Sequence, residues 1–164
     1  FTSSDVEASR EFLTSLIRIA DEAARANDLE RVKVSGASYF AVSGMGTPYL
    51  DHAPRSVRFV AEAIRAMSDA AEEAGIELGV SGGVSSGSVT AGLVGDSRLV
   101  FDLWGDSVDE AARFARLSPA DSIYIGAGAQ NRLPGGTELT QVALPGDEVA
   151  WSLRAEAAIP EVAS

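Results

Sequence analysis

The residues with the clearest chemical potential lie in LVFDLWGDSVDEAAR, at positions 99–113. Alternation along Val100, Asp102 and Trp104 predicts a strand on which the aspartate shares a face with large apolar side chains. Aspartate is depleted in strands and is rarely buried without a partner. We therefore expect Asp102 either to bind a ligand or to support a turn through hydrogen bonds.

A helix is predicted to follow this strand, from Asp106 to about Leu117. Asp106 is expected to be its N-cap, and Asp109 to supply the second half of a capping box. Asp109 and Arg113 lie four residues apart and share a helix face, where an ion pair between them would contribute about 0.3 kcal/mol. A purely structural role on the helix is the alternative to a binding role for these two residues.

Two long helices and several short strands are predicted around these residues. Apolar spacing and end signals predict a first helix from Ser4 to about Asn27 and a second from Pro54 to Gly75. Strands interleaved with helices favour one sheet covered by helices, in the α+β class, although the pattern alone leaves several topologies open. Strands are expected at about 31–35 and 38–43 (broken near Gly36), 122–125, 137–142 and 148–154, with a glycine-rich hairpin at 77–95 and a tail from Ala155.

Composition narrows the range of partners. The 164 residues are enough for one domain with its own core. A formal net charge of −11 works against nucleic-acid binding, because affinity for a phosphate backbone needs clustered Lys and Arg. The absence of cysteine and the single histidine exclude thiolate and multi-histidine metal sites.

Hydropathy, cysteine content and the first residues of the sequence give an expectation for localisation. The sequence contains no run of about 18 apolar residues, so it predicts no membrane-spanning helix. No signal peptide is visible either. A cysteine-free chain fits a reducing compartment, so we expect a cytoplasmic domain. The chain opens Phe1-Thr2 without a methionine, which predicts a piece of a longer protein and leaves open a membrane anchor outside it.

Several segments, in order, resemble the catalytic domain of class III nucleotidyl cyclases, in which a glycine-punctuated segment leads into a Tyr-Asp-Ile-Trp-Gly-type strand and then a helix carrying Asn and Arg. The resemblance implies a ferredoxin-like βαββαβ core with an added αβ segment over residues 1–155, a tail at 156–164, and a first strand upstream of Phe1. It also implies a head-to-tail dimer with sites at the interface. The segments are SGGVSSGSVTAGLVGD (81–96) with 99–113, RVKVSGASYFAVSG (31–44), Asp51-His52-Ala53, SIYIG (122–126) and VALPGDEVAWSL (142–153).

The family's adenine-selecting pair is matched by Lys33 and Asp102. In this pairing the lysine donates to the N1 acceptor of adenine, and the aspartate accepts from its N6 amino group. Guanine presents the reverse pattern, which would leave both contacts unpaired and disfavour GTP. The resemblance therefore implies ATP as the nucleotide partner, whereas without it Lys33 would be a solvated strand lysine.

The family's metal site is not matched. Two aspartates on neighbouring strands hold Mg²⁺ or Mn²⁺ there, and hard cations of this kind prefer carboxylate oxygens. The second aspartate follows the glycine of the strand pair, where this chain has Ala37. The first would lie upstream of Phe1-Thr2, which match a Phe-Thr pair of the family. We therefore expect no complete metal site in this chain, and Mg²⁺ or Mn²⁺ only if the domain is active.

Of the two residues on the helix that hold ribose and triphosphate in the family, this chain has only one. The family's Asn and Arg correspond to Asp109 and Arg113, so that Asp109 would repel phosphate and a pair with Arg113 would occupy part of the arginine's charge. The family's lysine near the final strand falls at Ala143, so that contact is missing as well. Lys33, Asp102 and Arg113 resemble the metal-free half of heterodimeric adenylyl cyclases.

Three functions follow from this pattern. The first is an adenylyl cyclase homology domain in cyclic-nucleotide signalling, catalytically impaired or inactive as a homodimer. The second is an active adenylate cyclase that converts ATP to cAMP and pyrophosphate, weakly alone or in a heterodimer with a metal-bearing partner. The third is a dimerisation module that binds no nucleotide.

Overall fold

The computed structural model describes residues 3–161. The α+β class is confirmed, since four helices and eight strands alternate along this part of the chain. The helices are α1 (Ser3–Ala26), α2 (His52–Glu73), α3 (Asp106–Leu117) and α4 (Ala127–Gln130), and the strands are β1 (Glu30–Ser35), β2 (Ser38–Val42), β3 (Gly82–Val84), β4 (Thr90–Val94), β5 (Val100–Trp104), β6 (Ser122–Ile125), β7 (Thr140–Leu144) and β8 (Glu148–Arg154).

Within residues 3–161 the strands form three separate sheets. The largest has the order β3-β6-β8-β7, with β3 parallel to β6 and the other neighbours antiparallel. The other two are the antiparallel pairs β1-β2 and β4-β5. The expectation of one continuous sheet was therefore wrong, because helix packing rather than strand hydrogen bonding joins the β1-β2 pair to the four-stranded sheet.

Helix α2 makes that connection through two buried faces. On one face, Val57 packs with Ile123 and the rest of the main core. On the other, Phe59 packs with Ala24 of α1 and with Tyr39 of β2, whose ring centroid is 5.8 Å from that of Phe59. A helix with apolar residues on both sides thus holds two sheets that do not pair with each other.

The segment 77–95 is not the hairpin that its glycines predicted, because β3 pairs with β6 and β4 pairs with β5. Two of the glycines instead allow helices to approach β3. A Cβ on Gly82 would lie 2.1 Å from Cγ1 of Val60 in α2, and one on Gly83 would lie 2.2 Å from the carbonyl oxygen of Ala111 in α3. A side chain at position 83 would displace the backbone of α3, and one at position 82 would displace the Val60 side chain.

Helix α3 begins at Asp106, as predicted, but its N-cap lies one residue earlier than expected. Gly105 is the N-cap, its carbonyl accepts from the amides of Val108 and Asp109 at 3.1 Å, and no side chain caps the helix. The prediction of Asp106 as N-cap, with Asp109 completing a capping box, was therefore wrong. Position 105 requires glycine, because its φ is 140° and a Cβ there would lie 3.0 Å from the Ser88 carbonyl oxygen.

Helix α3 is fixed to the four-stranded sheet by a second core. Phe114 is fully buried against Tyr124 of β6 and Ala150 of β8, and its ring meets the tyrosine edge-on at a centroid distance of 6.3 Å. Burial of a phenylalanine contributes about 2–3 kcal/mol. This packing sets where the side chains on the exposed face of α3 lie relative to the β7-β8 hairpin.

The residues after β8, which we expected to form a tail, pack against the main core. Ala155 is buried, and Ala157 and Ile159 pack against the main core. At the other end, Phe1 and Thr2, which we compared with a Phe-Thr pair of the cyclases, lie outside the described residues. No helix among residues 3–161 is both long and apolar enough to cross a bilayer.

Candidate functional site

The structure brings Lys33 and Asp102 into direct contact, although 69 positions separate them in the sequence. The Lys33 Nζ lies 3.0 Å from Oδ1 and 3.1 Å from Oδ2 of Asp102. The same Oδ1 accepts from the backbone amide of Leu103 at 2.8 Å. These two donors, the lysine first, lower the pKa of the Asp102 carboxyl, so it is ionised and acts as an acceptor at neutral pH.

A register shift in β1 and a glycine opposite Asp102 in β4 set the surroundings of this pair. The β1-β2 register shifts between Arg31 and Lys33, and a bulge of this kind re-aims the following side chain. On strand β5, Asp102 lies opposite Gly92 of β4. The Trp104 ring packs over this glycine, and a Cβ added to Gly92 would lie 3.2 Å from the ring. The alternation in β5 predicted the shared face, but no sequence signal predicted the bulge.

Lys33 is the only lysine among the 164 residues. Its side chain is 44% exposed and that of Asp102 is 25% exposed, so the pair is open to a ligand from solvent. A pair in such a position contributes little to folding stability, typically under about 1 kcal/mol. The two groups form a hydrogen-bond donor and an acceptor, side by side and accessible.

The turn between β1 and β2 carries no carboxylate. Gly36 takes a left-handed φ of 57°, and Ser35 pairs with Ser38 across the two-residue turn. Ala37 is exposed at its tip. A methyl group cannot ligate a cation, and residues 3–161 contain no cluster of three or more His, Asp or Glu side chains suited to a metal. The residues present do not fit the two-carboxylate cation site that the resemblance implies.

Arg113 is engaged by a residue that the sequence reasoning missed. Its Nε donates to Oε2 of Glu148 at 3.0 Å, and its Nη2 donates to Oε1 of the same carboxylate. In the part of the chain that is described, Glu148 and not Asp109 is the ion-pair partner of this guanidinium. The ion pair with Asp109 that the i,i+4 spacing allows is therefore not formed, because the start of β8 places a carboxylate in a two-point geometry with Arg113.

Other carboxylates lie close to this pair. Glu110 accepts from the hydroxyl of Ser85 and fills the space beside Gly126, where a Cβ would lie 2.2 Å from its Oε2. Hydrogen bonding to Glu148 first, and the charges of Glu110 and Asp109 after it, raise the pKa of the Arg113 guanidinium. Asp109 itself is exposed in the first turn of α3. The region around Arg113 is thus acidic.

The single histidine, His52, uses both ring nitrogens in contacts within the fold. The Nδ1 of His52 lies 3.0 Å from the Tyr49 carbonyl oxygen, which can only accept, so that nitrogen carries the proton. Its Nε2 lies at hydrogen-bond distance, 2.7 Å, from the hydroxyl of Ser86. Both ring nitrogens are used to tie the start of α2 to the loop after β3.

Comparisons with known proteins identify the family. The chain matches the family model of the adenylate and guanylate cyclase catalytic domain over residues 1–149. An adenylate cyclase of Mycobacterium tuberculosis (strain ATCC 25618 / H37Rv) is 32% identical over 114 residues, which are 70% of this chain and 26% of the relative. Adenylyl cyclase X E of Drosophila melanogaster is 29% identical over 132 residues, which are 80% of this chain and 12% of that protein. The chain spans about a quarter of the first relative's length and less of the second's.

A solved structure agrees with these matches. The catalytic core of a rhodopsin-guanylyl cyclase with converted specificity, in complex with ATPαS, superposes with a TM-score of 0.74 at 26% identity. The superposition covers 94% of this chain and 85% of that one. Sequence and structure together confirm the class III cyclase resemblance, and the chain belongs to the adenylate and guanylate cyclase catalytic domain family.

Proposed function

We propose that this domain is an adenylyl cyclase homology domain that recognises adenine through Lys33 and Asp102 and is catalytically impaired as a homodimer. The observation that carries the proposal is the contact between the two side chains, with Nζ 3.0 Å from Oδ1. It places a cationic donor beside an ionised acceptor on an accessible surface, which is the pattern that adenine needs on its N1 and N6 edge. That the relatives named above include adenylate cyclases supports the same base.

Binding of adenine would replace the contact between the two side chains by two contacts to the base. Lys33 would donate to N1 and Asp102 would accept from the N6 amino group, so neither charge would be left without a partner. Guanine would place a donor against Lys33 and an acceptor against Asp102. Each buried group left unpaired in this way costs about 1–3 kcal/mol, which favours adenine.

The impairment follows from Ala37. Cyclisation in this family is a phosphoryl transfer, in which catalysis depends on positioning and on neutralising the charge that develops on phosphate oxygens. A cation held by carboxylates contributes several kcal/mol to that neutralisation. Each ~1.4 kcal/mol that is lost slows the step tenfold, so we expect turnover reduced by about 10³-fold.

A second function is an adenylate cyclase that works with a different partner domain. The observation that favours it is the retention of Lys33, Asp102 and Arg113 in one chain that has Ala37 in its β1-β2 turn. Such a chain could supply base recognition to a heterodimer whose other member supplies the carboxylates for Mg²⁺ or Mn²⁺. Mixing the domain with a cyclase domain that has its metal aspartates but lacks its adenine pair tests this function.

The first prediction concerns binding without rapid turnover. Lysine labelled with ¹³C at Cε gives one side-chain NMR signal, because Lys33 is the only lysine. We expect ATP to shift this signal and GTP to leave it near its free position, because only adenine offers an acceptor to Nζ. In a parallel assay with Mn²⁺ and ATP at high protein concentration, we expect cAMP formation to stay about 10³-fold below that of a cyclase with both aspartates.

The two readouts separate the three functions. Rapid cAMP formation by the domain alone would refute the impairment and leave an ordinary adenylate cyclase. An unshifted lysine signal at saturating ATP would refute adenine recognition and favour a dimerisation module. Asp102→Asn is the matched control, because it keeps the size of the side chain but removes the charged acceptor, and it should weaken the ATP-dependent shift.

We also propose that the β4-β5 hairpin contributes to the dimer. Large apolar side chains on this hairpin are exposed, Leu93 by 65% and Leu99, in the connecting loop, by 63%. Contiguous exposed apolar surface of this kind marks an interaction site. A second copy of the domain fits it, because the family resemblance implies a homodimer or heterodimer of like domains. The further exposed apolar residues are Val89, Val94, Val100, Phe101 and Trp104.

The second prediction tests this surface. We expect Leu93→Asp to weaken self-association at least tenfold, about 1.4 kcal/mol, because it places a charge in an apolar contact. Sedimentation equilibrium measures the change. Leu50→Asp alters a leucine that is fully exposed outside the hairpin and should leave the dimer intact. Equal effects of the two substitutions would contradict a specific role for the hairpin.

A further inference from the structure

The packing of α3 and the β7-β8 hairpin fixes the positions of Arg113 and Glu148. Glu148 is the first residue of β8 and lies opposite Leu144 of β7, so the hairpin fixes its backbone. Arg113 precedes Phe114, which anchors α3 in the core formed with Tyr124 and Ala150. Both partners therefore project from elements that are locked to the same sheet, and the guanidinium meets the carboxylate through two nitrogens.

The pair is nevertheless open to ligands. The Arg113 side chain is 40% exposed and that of Glu148 is 27% exposed. The carboxylate of Glu148 uses Nε and Nη2 of Arg113 and neutralises its charge. An incoming phosphate would therefore have to displace the carboxylate, or bind the remaining N–H groups of a guanidinium whose charge is already compensated. The exposed surface leaves room for that exchange.

The charges around the pair oppose a polyphosphate. One cation, Arg113, faces the carboxylates of Asp109, Glu110 and Glu148, and all three groups contribute to the elevated pKa of the guanidinium. The local net charge is therefore negative. A triphosphate would have to compete with Glu148 for the guanidinium and to approach three like charges. A ligand with no phosphate, or with one, meets little of this repulsion.

We propose that Glu148 is a specificity-determining residue that occupies Arg113 and makes the site prefer adenosine or adenosine monophosphate over ATP. This inference rests on the proposed adenine recognition by Lys33 and Asp102 and deepens it by naming the ligand class. The domain would then report on adenine compounds with few phosphates, and its low turnover would reflect poor triphosphate binding as well as Ala37.

The third prediction uses Glu148→Gln, which keeps the size and the hydrogen-bonding capacity of the side chain but frees the charge of Arg113. We expect the affinity for ATP to rise about tenfold and the affinity for adenosine to stay constant, because the substitution both frees the charge of Arg113 for the triphosphate and removes a like charge beside it. Calorimetric titration with adenosine, adenosine monophosphate, ATP and inorganic tripolyphosphate measures the ratios. The wild-type protein should bind adenosine more tightly than ATP.

Two further variants make the result specific. Glu156→Gln removes an exposed carboxylate that pairs with Arg154, so it changes the net charge equally at another place. It should leave the ATP-to-adenosine ratio unchanged. Adding Arg113→Gln to Glu148→Gln should abolish the gain, because the freed guanidinium is then absent. Thermal unfolding of each variant confirms that the fold is kept.

The outcomes separate this inference from the proposed function. An ATP-to-adenosine ratio that Glu148→Gln leaves unchanged overturns the inference, and so does wild-type protein that binds ATP more tightly than adenosine. If adenosine fails to bind, the proposed adenine recognition fails, and the tripolyphosphate titration then judges Glu148 alone. A tenfold gain in tripolyphosphate affinity supports its role, and no gain, or the same gain with Glu156→Gln, overturns it.

Discussion

Replacement of Ala37 by aspartate is expected to raise Mn²⁺-dependent cAMP formation by about 10³-fold. Ala37 is exposed at the tip of the β1-β2 turn, so a longer side chain fits there without displacing the core. The new carboxylate supplies a hard oxygen ligand at the position where the family places one. The assay uses the longest form of the protein that the gene encodes, with Mn²⁺ and ATP in excess and cAMP as the product measured.

Ala37→Asn is the matched control for this prediction. It has the size of aspartate and a neutral oxygen, so it should recover little of the gain if charge neutralisation is the missing effect. Adding Asp109→Asn to Ala37→Asp should raise turnover further, because it removes a carboxylate from the region around Arg113. If Ala37→Asp leaves turnover at the wild-type level while ATP still binds, the lost aspartate is not the principal cause of the impairment.

The adenine pair could be predicted from sequence because its signals are local. An aspartate within an apolar strand and a lysine just before a glycine turn are visible without a structure, and the resemblance placed them in one site. The contact of Lys33 with Asp102 is geometrically what that placement requires. Their role in recognising a base stays a prediction.

The environment of Arg113 could not be predicted in the same way. An i,i+4 rule considers only neighbours on one helix, so it favoured Asp109. The actual partner, Glu148, is 35 positions away and reaches the arginine because Phe114 fixes α3 against β6 and β8. That contact depends on tertiary packing, which no local pattern reports.

The glycines show a similar limit. Their number between 77 and 95 suggested a tight hairpin, since glycine favours turns. In the structure, Gly82 and Gly83 instead provide room for α2 and α3, with Cβ positions that would overlap Val60 and the Ala111 carbonyl. A glycine that serves close packing and a glycine that serves a turn look the same in a sequence, so the pairing of β3 with β6 was missed.

Exchange of the adenine pair is expected to reverse base preference. In the double variant Lys33→Glu with Asp102→Lys, the ion pair is kept but donor and acceptor change places. Glu at position 33 would then accept from the N1–H of guanine, and Lys at position 102 would donate to its O6. We expect the ATP-to-GTP affinity ratio to fall by about 10²–10⁴-fold, since each of the two contacts discriminates by about 1–3 kcal/mol.

The single variants separate this effect from damage to the fold. Lys33→Glu alone places two carboxylates together, so it should weaken ATP binding by about 10²-fold and give GTP only one of its two contacts. Because the wild-type pair is exposed, thermal unfolding of the exchanged variant should differ little from that of the wild type. Calorimetric titration with ATP and GTP measures the preference. If the exchanged protein keeps the wild-type order of affinities, Lys33 and Asp102 do not contact the base, and the accessible donor and acceptor at this surface serve another ligand.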